Sequence, residues 1–131
     1  MIIVLDSNEY INYLEKKSEI LGEIFSNEGV TIYINEIIVK EVLRNIDELK
    51  KKEFYSLLSR RTFIAYNEKL QFDLIQKYKE FGLKKGDIVI SAFCESINAD
   101  YLITENRHFL KSKKFDRFKV LSLKEFLRKI S

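Results

Sequence analysis

Short apolar runs alternate with amphipathic stretches along this chain, and the alternation predicts strands separated by helices. Ile2-Ile3-Val4-Leu5 is a continuous apolar run and predicts a buried strand over 2–5. A helix follows over 8–16, with Asp6 or Ser7 as its N-cap. Val30-Thr31-Ile32-Tyr33-Ile34 is rich in β-branched residues and predicts a second strand. Ile38, Val42 and Ile46 recur at four-residue spacing and predict a helix over 36–46, with helical character continuing over 47–60. Thr62–Tyr66 predicts a third, shorter strand, and Glu68–Phe81 a helix closed by Gly82. A helix over 87–97, a strand over 101–104, a strand over 119–121 and a last helix over 123–130 capped by Ser122 complete the pattern. Strands separated by helices predict a mostly parallel sheet covered on both faces.

Composition narrows the class. The chain has 131 residues, 46% of them hydrophobic and 13% aromatic, enough for one domain with a real core. No stretch approaches the roughly 18 apolar residues of a membrane span. The apolar start lacks a basic leader and a small-residue cleavage site, which argues against a signal peptide. A single cysteine, Cys94, excludes an internal disulfide and a Cys-rich zinc site, and fits a cytoplasmic protein. The net charge of +3 permits nucleic-acid binding without arguing for it. With four glycines, none in a GxGxxG or GxxxxGK arrangement, no phosphate loop is present. One histidine is a poor start for nucleophilic catalysis of the Ser-His-Asp kind.

The candidate chemistry lies in three acids set in apolar surroundings. Asp6 closes the first strand, Glu41 interrupts Ile37-Ile38-Val39-Lys40-Glu41-Val42-Leu43, and Asp87 opens Ile88-Val89-Ile90. A buried lone carboxylate costs several kcal/mol unless it is paired, protonated or bound to a metal. Ligands of open parallel sheets bind beyond the carboxyl ends of the strands. Asp6 follows the first strand and Thr104-Glu105-Asn106 the fourth, so these groups share a site if the two strands are neighbours. Asp87, placed at a helix N-terminus, is expected to stay ionised through free N–H groups and the helix dipole. Close carboxylates repel, and a hard divalent cation relieves the repulsion.

These residues resemble the PIN-domain ribonucleases, especially the small VapC-like toxins of toxin–antitoxin pairs. The matching pieces are Val4-Leu5-Asp6-Ser7-Asn8, Val39-Lys40-Glu41-Val42, Gly86-Asp87-Ile88-Val89-Ile90-Ser91-Ala92, and Ala99-Asp100-Tyr101-Leu102-Ile103-Thr104-Glu105-Asn106-Arg107-His108-Phe109. They stand in the family's order over residues 4 to 109. The resemblance implies a single PIN-like domain over 1–131, an α/β three-layer sandwich whose mostly parallel sheet has about five strands. It implies an acidic pocket holding Mg2+ or Mn2+ and cleavage of RNA by metal-activated water. Carried over position by position, Asp6 and Asp87 are metal ligands, and Glu41 is a ligand or an orienter of the attacking water. Asn8 and Thr104 support the acids. Asn106 stands where many members have Asp, and is expected to hold a water or a weak second metal through its carbonyl. Its neutrality leaves about three negative charges in the pocket instead of four. Lys84, Lys85, Arg107 and Lys111 flank the site and are the cations best placed to touch RNA phosphate. A homodimer and a small antitoxin protein are further implications. Two alternatives stand beside this reading. One is an inactive PIN module that binds RNA or protein, suggested by Asn106. The other is a structure-specific DNA nuclease, for which the chain lacks an added helical arch.

Overall fold

The computed structural model describes residues 1–16, 19–65, 69–111 and 115–130. The elements run β1 (Ile2–Leu5), α1 (Ser7–Leu14), α2 (Leu21–Phe25), β2 (Thr31–Ile34), α3 (Glu36–Arg44), α4 (Glu48–Leu58), β3 (Phe63–Ala65), α5 (Phe72–Glu80), α6 (Lys85–Ser96), β4 (Tyr101–Ile103), α7 (Arg107–Lys111), β5 (Lys119–Leu121) and α8 (Leu123–Ile130). The five strands form one sheet in the order β3-β2-β1-β4-β5, and every pairing is parallel. This is the α/β three-layer sandwich expected from the sequence, with the sheet wholly parallel.

The central strand explains its own composition. Ile3, Val4 and Leu5 are fully buried because β1 has a strand on each side and helices on both faces. Strand order reverses at β1: β2 and β3 lie to one side, β4 and β5 to the other. Such a reversal opens a crevice at the carboxyl ends of the two central strands. Register places Leu5 opposite Ile103, so the residues that follow them, Asp6 and Thr104, emerge side by side. The Asp6 N–H extends the ladder by donating to Ile103 O (3.0 Å), and Thr104 N–H does the same to Leu121 O (3.0 Å).

Several expected boundaries move, each for a local reason. The helical stretch 36–60 is two helices, because Asp47 turns the chain and caps α4 by accepting the Lys50 N–H (3.0 Å). The helix expected over 68–81 begins at Phe72; Tyr66 and Glu68, parts of two expected elements, lie outside the described residues. The helix expected to open at Asp87 opens at Lys85 instead, leaving Asp87 in the first turn. Short helices α2 and α7 carry too few residues for a periodic signal and went unpredicted. Two expected ends hold. Gly82 takes the left-handed conformation (φ 80°) after α5, and Ser122 caps α8 in a reciprocal pair with Glu125.

The helix that carries Asp87 is anchored from behind. Glu95 of α6 accepts from Lys77 Nζ (2.6 Å) and from the Tyr78 hydroxyl (2.9 Å), both on α5. Tyr78 in turn packs among Phe81, Phe115 and Phe118. Cys94, fully buried, is a core residue, as are Tyr10 and Phe25. No helix among the described residues is long and apolar enough to cross a membrane.

Candidate active site

A cleft of about 180 Å³ opens at the strand-order reversal. Asp6, Asn8, Glu41, Asp87 and Asn106 all line it. Four separate segments of sequence therefore deliver the carboxylates and amides singled out above to one place. The end of β1 and the start of α1 bring Asp6 and Asn8, α3 brings Glu41, α6 brings Asp87, and the segment after β4 brings Asn106.

Asp6 is the most constrained of these groups. Its Oδ1 accepts the Ser7 N–H (2.8 Å), so it serves as the N-cap of α1. Its Oδ2 accepts from the Thr104 hydroxyl (2.8 Å), which in turn accepts the Asn106 N–H (3.0 Å). Thr104 is fully buried and does not line the cleft. It stands behind Asp6 and fixes the rotamer of that carboxylate, and a single hydroxyl ties the end of β1 to the end of β4.

Asp87 behaves differently from the sequence expectation. Its position in the first turn of α6 was expected to keep it ionised. Its carboxyl is instead pushed above the usual range, first by burial and next by the charge of Asp6, with Glu41 adding to the rise. His108 and Lys84 pull in the other direction but do not cancel it. The upward shift is thus first a cost of burial, to which the neighbouring carboxylates add.

Oxygen donors of this kind suit a hard cation. Among the described residues, however, no group of three or more His, Cys, Asp or Glu side chains is arranged to hold a metal ion. A cation in the cleft would take one or two of these carboxylates and would have to fill the rest of its shell with water.

The expected cations divide. Lys84 is close enough for its charge to act on Asp87. Lys85, Arg107 and Lys111 are exposed on α6 and α7 and do not line the cleft. Glu105 turns away from the cleft, where its Oε1 accepts the Leu123 N–H at the start of α8 (3.0 Å).

One residue of the cleft and one buried acid outside its lining were missed from the sequence. Asn35 follows β2 as Asp6 follows β1, lines the cleft, and caps α3 by accepting the Ile38 N–H (2.9 Å). An Asn between a β-branched run and an amphipathic helix was the available signal. Truncating it, Asn35→Ala, is expected to cost about 1 kcal/mol of stability. It should also loosen the helix that positions Glu41, and chemical denaturation checks the first effect. The second missed residue is Glu9, only 4% exposed on the inner face of α1 and with no hydrogen-bond partner for Oε1 among the described residues. Its carboxyl is pushed up to about 7 by burial, then by the charges of Glu105 and Asp6. Its spacing from the N-cap, Asp6-x-x-Glu9, is that of a capping box, so the sequence carries no signal of its burial.

Fold and cleft together define a class: a parallel α/β sandwich with an acidic cleft at the reversal of strand order. A chain in the crystal structure of VapBC2 from Rickettsia felis bound to a DNA fragment from their promoter has this fold. It matches with a TM-score of 0.67 and 19% identity, over 93% of this chain and 98% of that chain. At that identity the likeness is one of architecture. No family model and no curated protein matches the sequence.

Proposed function

We propose that this protein is a metal-dependent endoribonuclease of the PIN-domain, VapC-like kind. The observation that carries the reading is the convergence of Asp6, Glu41 and Asp87 on one cleft, from three elements, at the strand-order reversal. The fold shared with the VapBC2 structure supports it. So does the sequence order of the four matching pieces.

In this reading Asp6 and Asp87 hold Mg2+ or Mn2+, and Glu41 orients the attacking water or adds a ligand. The cation supplies relief of carboxylate repulsion, a lower pKa for water and compensation of the charge that develops on phosphate. The chain's own residues do the rest. Thr104 holds Asp6 in one rotamer, so the carboxylate meets the substrate without reorganising. Asn35 fixes the entry of α3 and hence the reach of Glu41. Asn8 lines the cleft, and Lys84 sets positive charge near Asp87 where a phosphate would arrive. Lys85, Arg107 and Lys111 extend that positive side for RNA entering the cleft.

The test is cleavage of a mixed RNA set by purified protein with Mg2+, Mn2+ or EDTA. Cutting is expected with either metal and none in EDTA. Metal-independent cutting, or none under any condition by folded protein, would sink the reading. In the latter case the binding-module alternative takes over. The neutral Asn106 at the position where the resemblance expects an acid is the observation that favours it, and retained RNA binding without turnover would establish it.

A small antitoxin protein and a second copy of this chain are the proposed partners. The similar structure is itself a complex, named VapBC2. Growth arrest on induction, relieved by co-expression of a short neighbouring reading frame, tests the first. Sedimentation of the purified chain tests the second.

A further inference from the structure

Asn106 stands at the position where the resemblance expects an acid, and its side chain is held in one orientation. Oδ1 accepts the His108 N–H (2.9 Å). The backbone N–H donates to Thr104 Oγ1 (3.0 Å), and the backbone carbonyl accepts from Phe109 and Leu110 (3.1 Å each). An N–H must meet an acceptor, so the His108 contact decides which end of the amide is oxygen. Turning the amide over would set two donors face to face. The oxygen is thus turned to the start of α7, with one of its two lone pairs engaged there. The group left to face outward from this cleft-lining residue is Nδ2, which has two hydrogens and no partner among the described residues.

A cation is bound through oxygen and not through an amide nitrogen that carries hydrogens. Asn106 therefore offers a cation only the second lone pair of an oxygen already turned to α7, while its unpartnered group is a donor. It is well disposed toward an anion. A phosphodiester entering the cleft meets the negative charge of Asp6, Glu41 and Asp87. A carboxylate at 106 would add to that repulsion, whereas an N–H donor offsets it. We propose that Asn106 Nδ2 donates a hydrogen bond to a non-bridging phosphate oxygen of RNA in the cleft. Asn106 is then a substrate-contacting residue and not a metal ligand. The proposal rests on the nuclease reading above.

Asn106→Asp separates the two roles, because a carboxylate caps α7 as well as the amide does. Three measurements are made on wild type and variant: binding of fluorescein-labelled single-stranded RNA in EDTA and in calcium buffer, Mn2+ affinity by calorimetry without RNA, and cleavage in Mn2+. The variant is expected to keep the wild-type unfolding midpoint and to bind RNA about 10-fold more weakly, the loss typical of one hydrogen bond to a charged group. Its KM should rise more than its kcat falls, with Mn2+ affinity changed less than about 3-fold. Asn106→Ala should show the same loss of RNA affinity together with a lower unfolding midpoint. Tighter Mn2+ binding by about 10-fold with faster cleavage in Asn106→Asp would overturn the proposal and restore the metal-holding role. Unchanged RNA affinity in both variants, with wild type cutting normally, would overturn the proposal and leave the nuclease reading intact. Wild type that neither binds nor cuts RNA would overturn both.

Discussion

Asp6→Asn is expected to lower metal-dependent RNA cleavage by at least about 100-fold, beyond the 10- to 100-fold typical of groups that merely orient a metal ligand. The expectation follows from what the carboxylate does. Oδ1 closes α1 and Oδ2 takes the Thr104 hydroxyl, so both oxygens are fixed before any ligand arrives. Asparagine is nearly isosteric and keeps an acceptor for the Ser7 N–H, so the cap survives. It removes one negative charge from the cleft and presents a donor to Thr104 in place of an acceptor. The hydroxyl must then reverse, at a cost of about 1 kcal/mol or less. Activity and stability therefore part company in this variant. Asp6→Ala should lose the same activity plus about 1 kcal/mol from the missing cap. Single-turnover cleavage beside urea denaturation measures both. Cleavage by Asp6→Asn within about 3-fold of wild type would move the active site away from this cleft.

The parts of this site that were legible in the sequence are those whose placement depends on strand ends. Asp6 follows a continuous apolar run, and Thr104 and Asn106 follow another. Once the pattern predicts a parallel sheet, their side chains are confined to one end of it. Strand adjacency itself was not legible. It was a condition in the sequence and became a fact only through the register of Leu5 with Ile103. Glu41 could be placed on a helix, but its reach into the cleft depends on the cap at Asn35 and on where α3 ends. The titration of Asp87 was misjudged for a related reason. Local chemistry at a helix start favours ionisation, and only the assembled fold shows that burial and the Asp6 charge outweigh it. The orientation of Asn106 was hidden as well, because α7 is five residues long and leaves no periodic trace. Without that helix there was no N–H to claim the amide oxygen. Residues whose role is set by their own strand could be read from the chain, while residues whose role is set by a neighbour's charge or hydrogen bond could not.

Glu9 makes that last point measurable, through the dependence of stability on pH. Its carboxyl belongs to α1, is 4% exposed, and leaves Oε1 without a partner among the described residues. Burial raises its pKa from 4.5 to about 7, with Glu105 and Asp6 adding to the rise. The folded-state value lies above the unfolded one, so the neutral form is the one the fold favours. Below pH 4.5 both states are protonated and the full stability is present. As pH rises, the unfolded chain ionises first, and stability is lost until the folded-state carboxyl also ionises near pH 7. The loss is complete above that point and amounts to at most about 3 kcal/mol, at 1.36 kcal/mol per pH unit of displacement. Glu9→Gln removes the titration while keeping the side chain's size. It is expected to be more stable than wild type at pH 8 by up to about 3 kcal/mol, and close to wild type or slightly less stable at pH 4.5. Urea denaturation across that range decides the matter, and parallel pH profiles for the two proteins would show that Glu9 does not titrate as its burial requires. Because the Asp6 charge contributes to the rise, Asp6→Asn should lower the Glu9 pKa in turn. The gain from Glu9→Gln at pH 8 should then be smaller in the Asp6→Asn background than in wild type, and this non-additivity measures the coupling between the two carboxylates directly.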